Sequence, residues 1–106
     1  MLQITLENKR LQDTFEHYEK KFKALSDTKR LHLLHILCER GSTCVCDLID
    51  EIQMPQSKLS YHLKILLDAG LITKETKGTW SYYSLNEKEI NHLLSAELCC
   101  LFRPSR

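Results

Sequence analysis

Two thiols separated by one residue stand in the segment Ser42-Thr43-Cys44-Val45-Cys46-Asp47-Leu48. A thiolate binds soft metals and metalloids, so Cys44 and Cys46 are the residues of this chain best suited to holding a thiophilic ion. Ser42-Thr43 reads as a cap for a short helix running from Cys44 to about Ile52, with Leu48, Ile49 and Ile52 facing inward. Both thiols then fall in the first helical turn, where roughly half a positive charge lowers a thiol pKa. Residues i and i+2 point about 200° apart on a regular helix. A shared ion is therefore expected to distort or unwind the helix start.

A second chemistry lies just downstream. Residues 55–72 read Pro-Gln-Ser-Lys-Leu-Ser-Tyr-His-Leu-Lys-Ile-Leu-Leu-Asp-Ala-Gly-Leu-Ile. At a period of 3.6, Leu59, Leu63, Leu66 and Leu67 share one face, and Ser57, Ser60, Tyr61, Lys64 and Asp68 occupy the opposite one. One face packs and the other is free to read base edges. Pro55 suits the first helical position and Gly70 the left-handed residue beyond the end. Gln53-Met54-Pro55 joins this helix tightly to the cysteine-bearing one, which makes a helix-turn-helix over a recognition helix at 56–69.

The remaining elements must position these two sites. Residues 1–9 are expected to be frayed, and a helix over 11–25 carries Leu11, Phe15, Tyr18, Phe22 and Leu25 at heptad-like spacing. That stripe serves either core packing or a dimer contact. Ser26-Asp27-Thr28 caps a second helix, apolar nearly all round and so central, which ends at Arg40-Gly41. After Gly70, residues 71–85 form two β-prone runs around Lys77-Gly78, a wing with Tyr83 and Leu85 toward the core, Tyr82 outward, and Lys74 and Lys77 near the tip. Asn86 caps a last helix over 86–102, with Glu89 completing a capping-box-like pair and Ile90, Leu93, Leu94, Leu98 and Leu101 as its stripe. The fold class is mainly α with a small β-hairpin, a single winged helix-turn-helix domain over 1–106 in the order ααααββα.

Composition narrows the function classes. A chain of 106 residues with 42% hydrophobic residues is the size of one domain. It has no apolar run long enough to cross a bilayer and no signal-peptide core, so a cytoplasmic protein without a membrane partner is expected. Five cysteines in that compartment are thiols, which raises metal binding or redox sensing ahead of structural disulfides. With three glycines in total, no phosphate-cradling loop, no Cys-x-x-Cys pair and no acid/base dyad, the chain is not expected to be an enzyme. Net charge +1 neither demands nor excludes nucleic acid, whose footprint is a local patch. Cys38, in the most apolar helix, reads as a core residue. His17, His32 and His35 have no ligand spacing with a cysteine, and His62 reads as structural.

Three motifs together carry a family resemblance: Thr43-Cys44-Val45-Cys46-Asp47-Leu48, Gln56-Ser57-Lys58-Leu59-Ser60-Tyr61-His62-Leu63, and Gly78 with Tyr82-Tyr83-Ser84-Leu85. From about Phe15 to Leu101 the chain resembles the ArsR/SmtB family of winged-helix metalloregulatory repressors, most closely its arsenical-resistance repressors. The resemblance implies a homodimer, formed through the first and last helices, that binds double-stranded operator DNA with no cofactor. It implies release when arsenite, antimonite or a soft metal ion binds Cys44 and Cys46. Base contacts fall on the positions of Gln56, Ser57, Ser60 and Tyr61, and Lys58, Lys64, Lys74 and Lys77 would hold phosphates. The family's box often continues to a third cysteine, where this chain has Ile49. Cys99 and Cys100 are the possible additional ligands, and zinc is not expected, since the last helix lacks the Asp-x-His pair of zinc-sensing relatives. The rival readings are a thiol-based redox-sensing repressor and a winged-helix DNA-binding protein with incidental cysteines.

Overall fold

The computed structural model describes residues 6–93, with side chains from residue 9 onward. Its elements are α1 (Leu6–Leu25), α2 (Thr28–Arg40), β1 (Thr43–Cys44), α3 (Val45–Ile52), α4 (Gln56–Asp68), β2 (Ile72–Lys77), β3 (Trp80–Leu85) and α5 (Glu87–Leu93). The three strands form an antiparallel sheet in the order β1-β3-β2. Leu33, Leu34 and Leu37 of α2, Leu48 of α3, Leu59, Leu63 and Leu66 of α4, Leu71 and Ile90 are fully buried and make one core. No helix among the described residues is long and apolar enough to cross a membrane.

Local chemistry sets the boundaries. Asp27 caps α2, its Oδ1 accepting from the backbone N–H of Lys29 at 2.8 Å and of Arg30 at 3.2 Å. Gln53, left-handed at φ 53°, ends α3 and starts the turn into α4. Pro55 lies one residue before the helix rather than in its first turn; its extended backbone (ψ 146°) turns its carbonyl toward the N–H groups of Lys58 and Leu59. At the other end Gly70, at φ 76°, closes α4 as Leu71 N–H bonds the Leu66 carbonyl and Gly70 N–H the Leu67 carbonyl. The wing closes through the two-residue loop Gly78-Thr79, with Lys77 paired to Trp80.

Several expectations change. Helix α1 begins at Leu6, so the described part of the segment expected to fray is helical. Its apolar stripe is not core: Leu11, Phe15, Tyr18 and Phe22 are 52%, 58%, 39% and 56% exposed, and Ala24 and Lys21 are buried instead. Helix α2 is not apolar all round, because Leu31, His32 and His35 face solvent. Asn86 does cap α5, accepting from Glu89 N–H at 3.4 Å, but the Glu89 carboxylate does not return to it. Asn86 N–H is already held by the Leu71 carbonyl, and Glu89 pairs with Lys21. The continuation of the last helix, with Leu94, Leu98, Cys99, Cys100 and Leu101, lies outside the described residues.

Two buried cations tie the helices together. Lys21 donates from Nζ to the Ala69 carbonyl at 2.6 Å and meets Glu89 at 3.3 Å, joining α1 to the end of α4 and to α5. Arg30 donates from Nε to the Ala24 carbonyl at 2.7 Å, from Nη2 to the Lys23 carbonyl at 3.3 Å, and from Nη1 to His62 Nδ1 at 3.0 Å, with Asp27 at 3.9 Å. A guanidinium only donates, so His62 must accept at Nδ1 and carry its proton at Nε2, which is buried and meets no partner among the described residues. Burial, reinforced by the Arg30 charge, holds the His62 pKa below its ordinary 6.5.

Because His62 is neutral when folded and protonates more readily when unfolded, its contribution is complete above about pH 6.5 and is lost as pH falls below that value. Unfolding free energy measured by denaturant titration should therefore decline from about pH 6.5 downward, and His62→Gln should flatten that decline. The Asp27 and Glu89 carboxyls act in a more acid window. Burial alone would raise Asp27, but the N–H groups of Arg30 and Lys29 outweigh it and lower its pKa. The hydrogen bond from Lys21, with its charge, lowers Glu89.

Candidate thiol site and nucleic-acid interface

The cysteine segment departs most from a regular helix. Thr43 and Cys44 form β1, pairing with Tyr83 and Tyr82 of β3, and Cys44 has the extended backbone φ −67°, ψ 146° as the residue before α3. Neither Ser42 nor Thr43 caps the helix; Thr43 is buried and its Oγ1 donates to the Gly41 carbonyl at 2.8 Å. The sequence offered only β-branched Thr43 and Val45 as signals of strand, too short a run to count without the partner that β3 supplies.

That backbone brings the thiols together. Cys46 donates from Sγ to Cys44 Sγ at 2.8 Å, with Cys44 buried and Cys46 exposed. The 200° divergence of a helical i, i+2 pair does not arise, since only Cys46 lies within the helix. No unwinding is needed for the sulfurs to converge. That contact also reverses the electrostatic expectation: the hydrogen bond to Cys44, with further contributions from burial and Asp47, raises the Cys46 pKa despite its place at a helix start. Cys38 is a buried core thiol, and burial raises its pKa too. Among the described residues no group of three or more His, Cys, Asp or Glu side chains could hold a metal ion, and Ile49 packs against the core. Cys99 and Cys100 lie outside the described residues.

On α4, Gln56, Ser57, Lys58, Ser60, Tyr61 and Lys64 are all exposed, Tyr61 at 61%, while Leu59, His62, Leu63 and Leu66 are buried beneath them. Lys64 pairs with Asp68 at 3.3 Å. In the wing, Lys74 lies 6.0 Å over the Tyr83 ring and Lys77 5.2 Å over the Tyr82 ring, and Trp80 stands 55% exposed beside the turn. The helix-turn-helix and the hairpin thus present polar and cationic side chains on a buried apolar base. Sequence reasoning did not single out Arg30 or Lys21, and it placed Tyr82 outward where the structure has it half-buried.

Residues 27–74 match the family described as bacterial regulatory protein, arsR family. An arsenical resistance operon repressor from Bacillus subtilis is 71% identical over 86 residues, which cover 81% of this chain and 82% of that protein. The chain belongs to the ArsR family. The arsenical resistance operon repressor of Escherichia coli is 40% identical over 65 residues, covering 61% of this chain and 56% of its own. Among solved structures, a homodimeric winged helix-turn-helix DNA-binding domain from Mycobacterium bovis superimposes with a TM-score of 0.72 at 25% identity, covering 79% of this chain and 77% of its own. HlyU from Vibrio cholerae does so with a TM-score of 0.70 at 25% identity, covering 84% and 95%. This ArsR-family protein is a winged-helix DNA-binding transcriptional repressor and not an enzyme.

The hydrogen bond from Cys46 to Cys44 has a measurable consequence. Cys44→Ala removes the acceptor that holds the proton on Cys46, so the Cys46 pKa should fall. Alkylation at Cys46, followed by mass spectrometry across a pH series, should reach half its plateau rate at lower pH in the variant than in the wild type.

Proposed function

We propose that this ArsR-family repressor acts as a homodimer on the operator of an arsenical-resistance operon and leaves it when arsenite binds Cys44 and Cys46. The observation that carries the reading is the 2.8 Å approach of the two sulfurs. Thiophilic ions bind sulfur at about 2.3 Å, so two sulfurs on one ion lie within about 4.6 Å of each other, and this pair starts inside that limit. The chemistry balances without an oxidant. Arsenite reacts as neutral arsenous acid; each thiol replaces one hydroxyl, an arsenic–sulfur bond forms, and the thiol proton leaves with the hydroxyl as water. A raised Cys46 pKa is no obstacle, because the proton departs in the substitution. Antimonite and soft metal ions such as cadmium share the preference for sulfur, and Cys99 or Cys100 could complete a three-sulfur site.

On the DNA side, Gln56, Ser57, Ser60 and Tyr61 would face base edges in the major groove, with Lys58, Lys64, Lys74 and Lys77 on phosphates. Two recognition helices about one helical turn apart require a dimer. The exposed row Leu11, Phe15, Tyr18 and Phe22 supports α1 as one surface for a second copy, since four large apolar side chains in a line are costly to leave in water. The last helix over 86–102 would be the other. A cytoplasmic location follows from the partner. Linkage requires arsenite to favour the DNA-free form, and a coupling of ~1–3 kcal/mol would weaken operator binding ~5–150-fold.

Two experiments bear on this reading. In a fluorescence-anisotropy titration with operator DNA, Cys44→Ser with Cys46→Ser should reduce the arsenite-induced loss of affinity to less than about 2-fold, from ~5–150-fold in the wild type; a double variant that still releases DNA sinks the sensor. Phe15→Glu with Phe22→Glu, at exposed positions, should leave helical circular dichroism intact and yield a monomer by sedimentation velocity, with operator affinity lower by at least about 10-fold; a variant that stays dimeric rules α1 out as a dimer surface.

A further inference from the structure

The strand β1 puts the thiol pair in the same sheet as the wing. Cys44 stands directly opposite Tyr82 on β3, and Tyr82 stands opposite Glu75 on β2. Side chains opposite each other in an antiparallel sheet share a face, with Cβ atoms about 4.5–5.5 Å apart. Cys44, Tyr82 and Glu75 therefore form one transverse row. The next residue toward the tip on that face of β2 is Lys77, whose Nζ rests 5.2 Å from the centre of the Tyr82 ring. Tyr82 is half-buried, with Cys44 as its register partner on one side and the Lys77 cation over its ring on the tip side.

Ligation must change the thiol end of this row. The direct thiol contact is replaced by two sulfur–ion bonds of about 2.3 Å each, so a heavy atom now stands between the sulfurs. Cys46 is set on α3, whose inward residues Leu48 and Ile52 are buried, whereas Cys44 belongs to a strand of two residues held by β3. A heavy atom on Cys44 Sγ also adds volume on the Tyr82 face of the sheet.

We propose that Tyr82 is a positioning residue through which ligand occupancy at Cys44 and Cys46 reaches the wing. Ligation displaces the Tyr82 ring, the ring no longer seats Lys77, and the wing cation leaves the position it needs for DNA. This route runs through the sheet, independent of the turn between α3 and α4. It rests on the proposed arsenite site, and the test separates the two.

The quantity to measure is the coupling: the arsenite dissociation constant on operator-bound protein divided by that on free protein, with binding followed by sulfur-to-arsenic absorption. Wild type should give a ratio of ~5–150. Tyr82→Phe, which keeps the ring, should keep the ratio within about 2-fold of wild type. Tyr82→Ala should bind arsenite when free yet bring the ratio to less than about 2. Trp80, the sole tryptophan, is the register partner of Lys77 and reports on the tip. Its emission should shift on arsenite addition to DNA-free wild type and not in Tyr82→Ala. Lys77→Met, which leaves the ring in place, should lower the ratio as well and provides the test if Tyr82→Ala does not fold. A wild type whose thiols bind no arsenite overturns the sensor reading and this inference with it. A wild type with normal coupling, alongside Tyr82→Ala or Lys77→Met at an unchanged ratio, overturns this inference alone.

Discussion

The buried guanidinium of Arg30 is the interaction on which the arrangement of helices depends. It gathers the last carbonyls of α1, the capping carboxylate of α2 and the imidazole of α4 around one charge that cannot be given up. A buried cation left without such partners costs several kcal/mol, so the three elements are held in one relative pose whenever the chain is folded. Helix α4 receives its orientation from this network and from Leu59, Leu63 and Leu66 on its buried face. Lys21 does the same at the far end, where its ammonium satisfies the Ala69 carbonyl just past α4 and pairs with Glu89. A Cβ on Gly70 would come within 3.2 Å of that nitrogen, so the left-handed glycine serves both the turn and the lysine.

With α4 anchored at its middle and at its C-terminal end, the movable parts lie elsewhere. The strand β1 has two residues and the wing is a hairpin whose outer positions are exposed from Thr73 to Trp80. Short pairing and exposed backbone are marks of low local stability. The proposed sensor at β1 would thus act without repacking the core. The same position explains the convergence of the thiols: a strand residue just ahead of a helix turns its sulfur to the side on which Cys46 lies.

Much of the architecture was legible in the chain. The Asp27 cap, the close of α2 at Gly41, the Schellman-type end of α4 at Gly70, the four-residue rhythm of its leucines and the glycine turn of the wing are local signals, each set by residues within one or two turns of each other. The Cys-x-Cys spacing and the polar face of α4 were equally plain. What the chain did not reveal depends on distant partners. Lys21 and Arg30 drew no notice because the carbonyls and the imidazole that accept them are up to 48 residues away. The stripe of α1 read as either core or contact because periodicity gives a face and not its direction.

Sequence alone thus determined a winged helix with a thiol pair one short helix ahead of the polar face of α4, since helix caps, turn glycines and amphipathic periods are properties of neighbouring residues. Only the tertiary structure decided that Cys44 is a strand residue and not a helical one. Its backbone is drawn out by pairing with Tyr82, 38 positions along the chain, and that pairing turns two divergent positions into two converging sulfurs. A two-residue strand has no stability of its own; it exists because β3 is there to receive it.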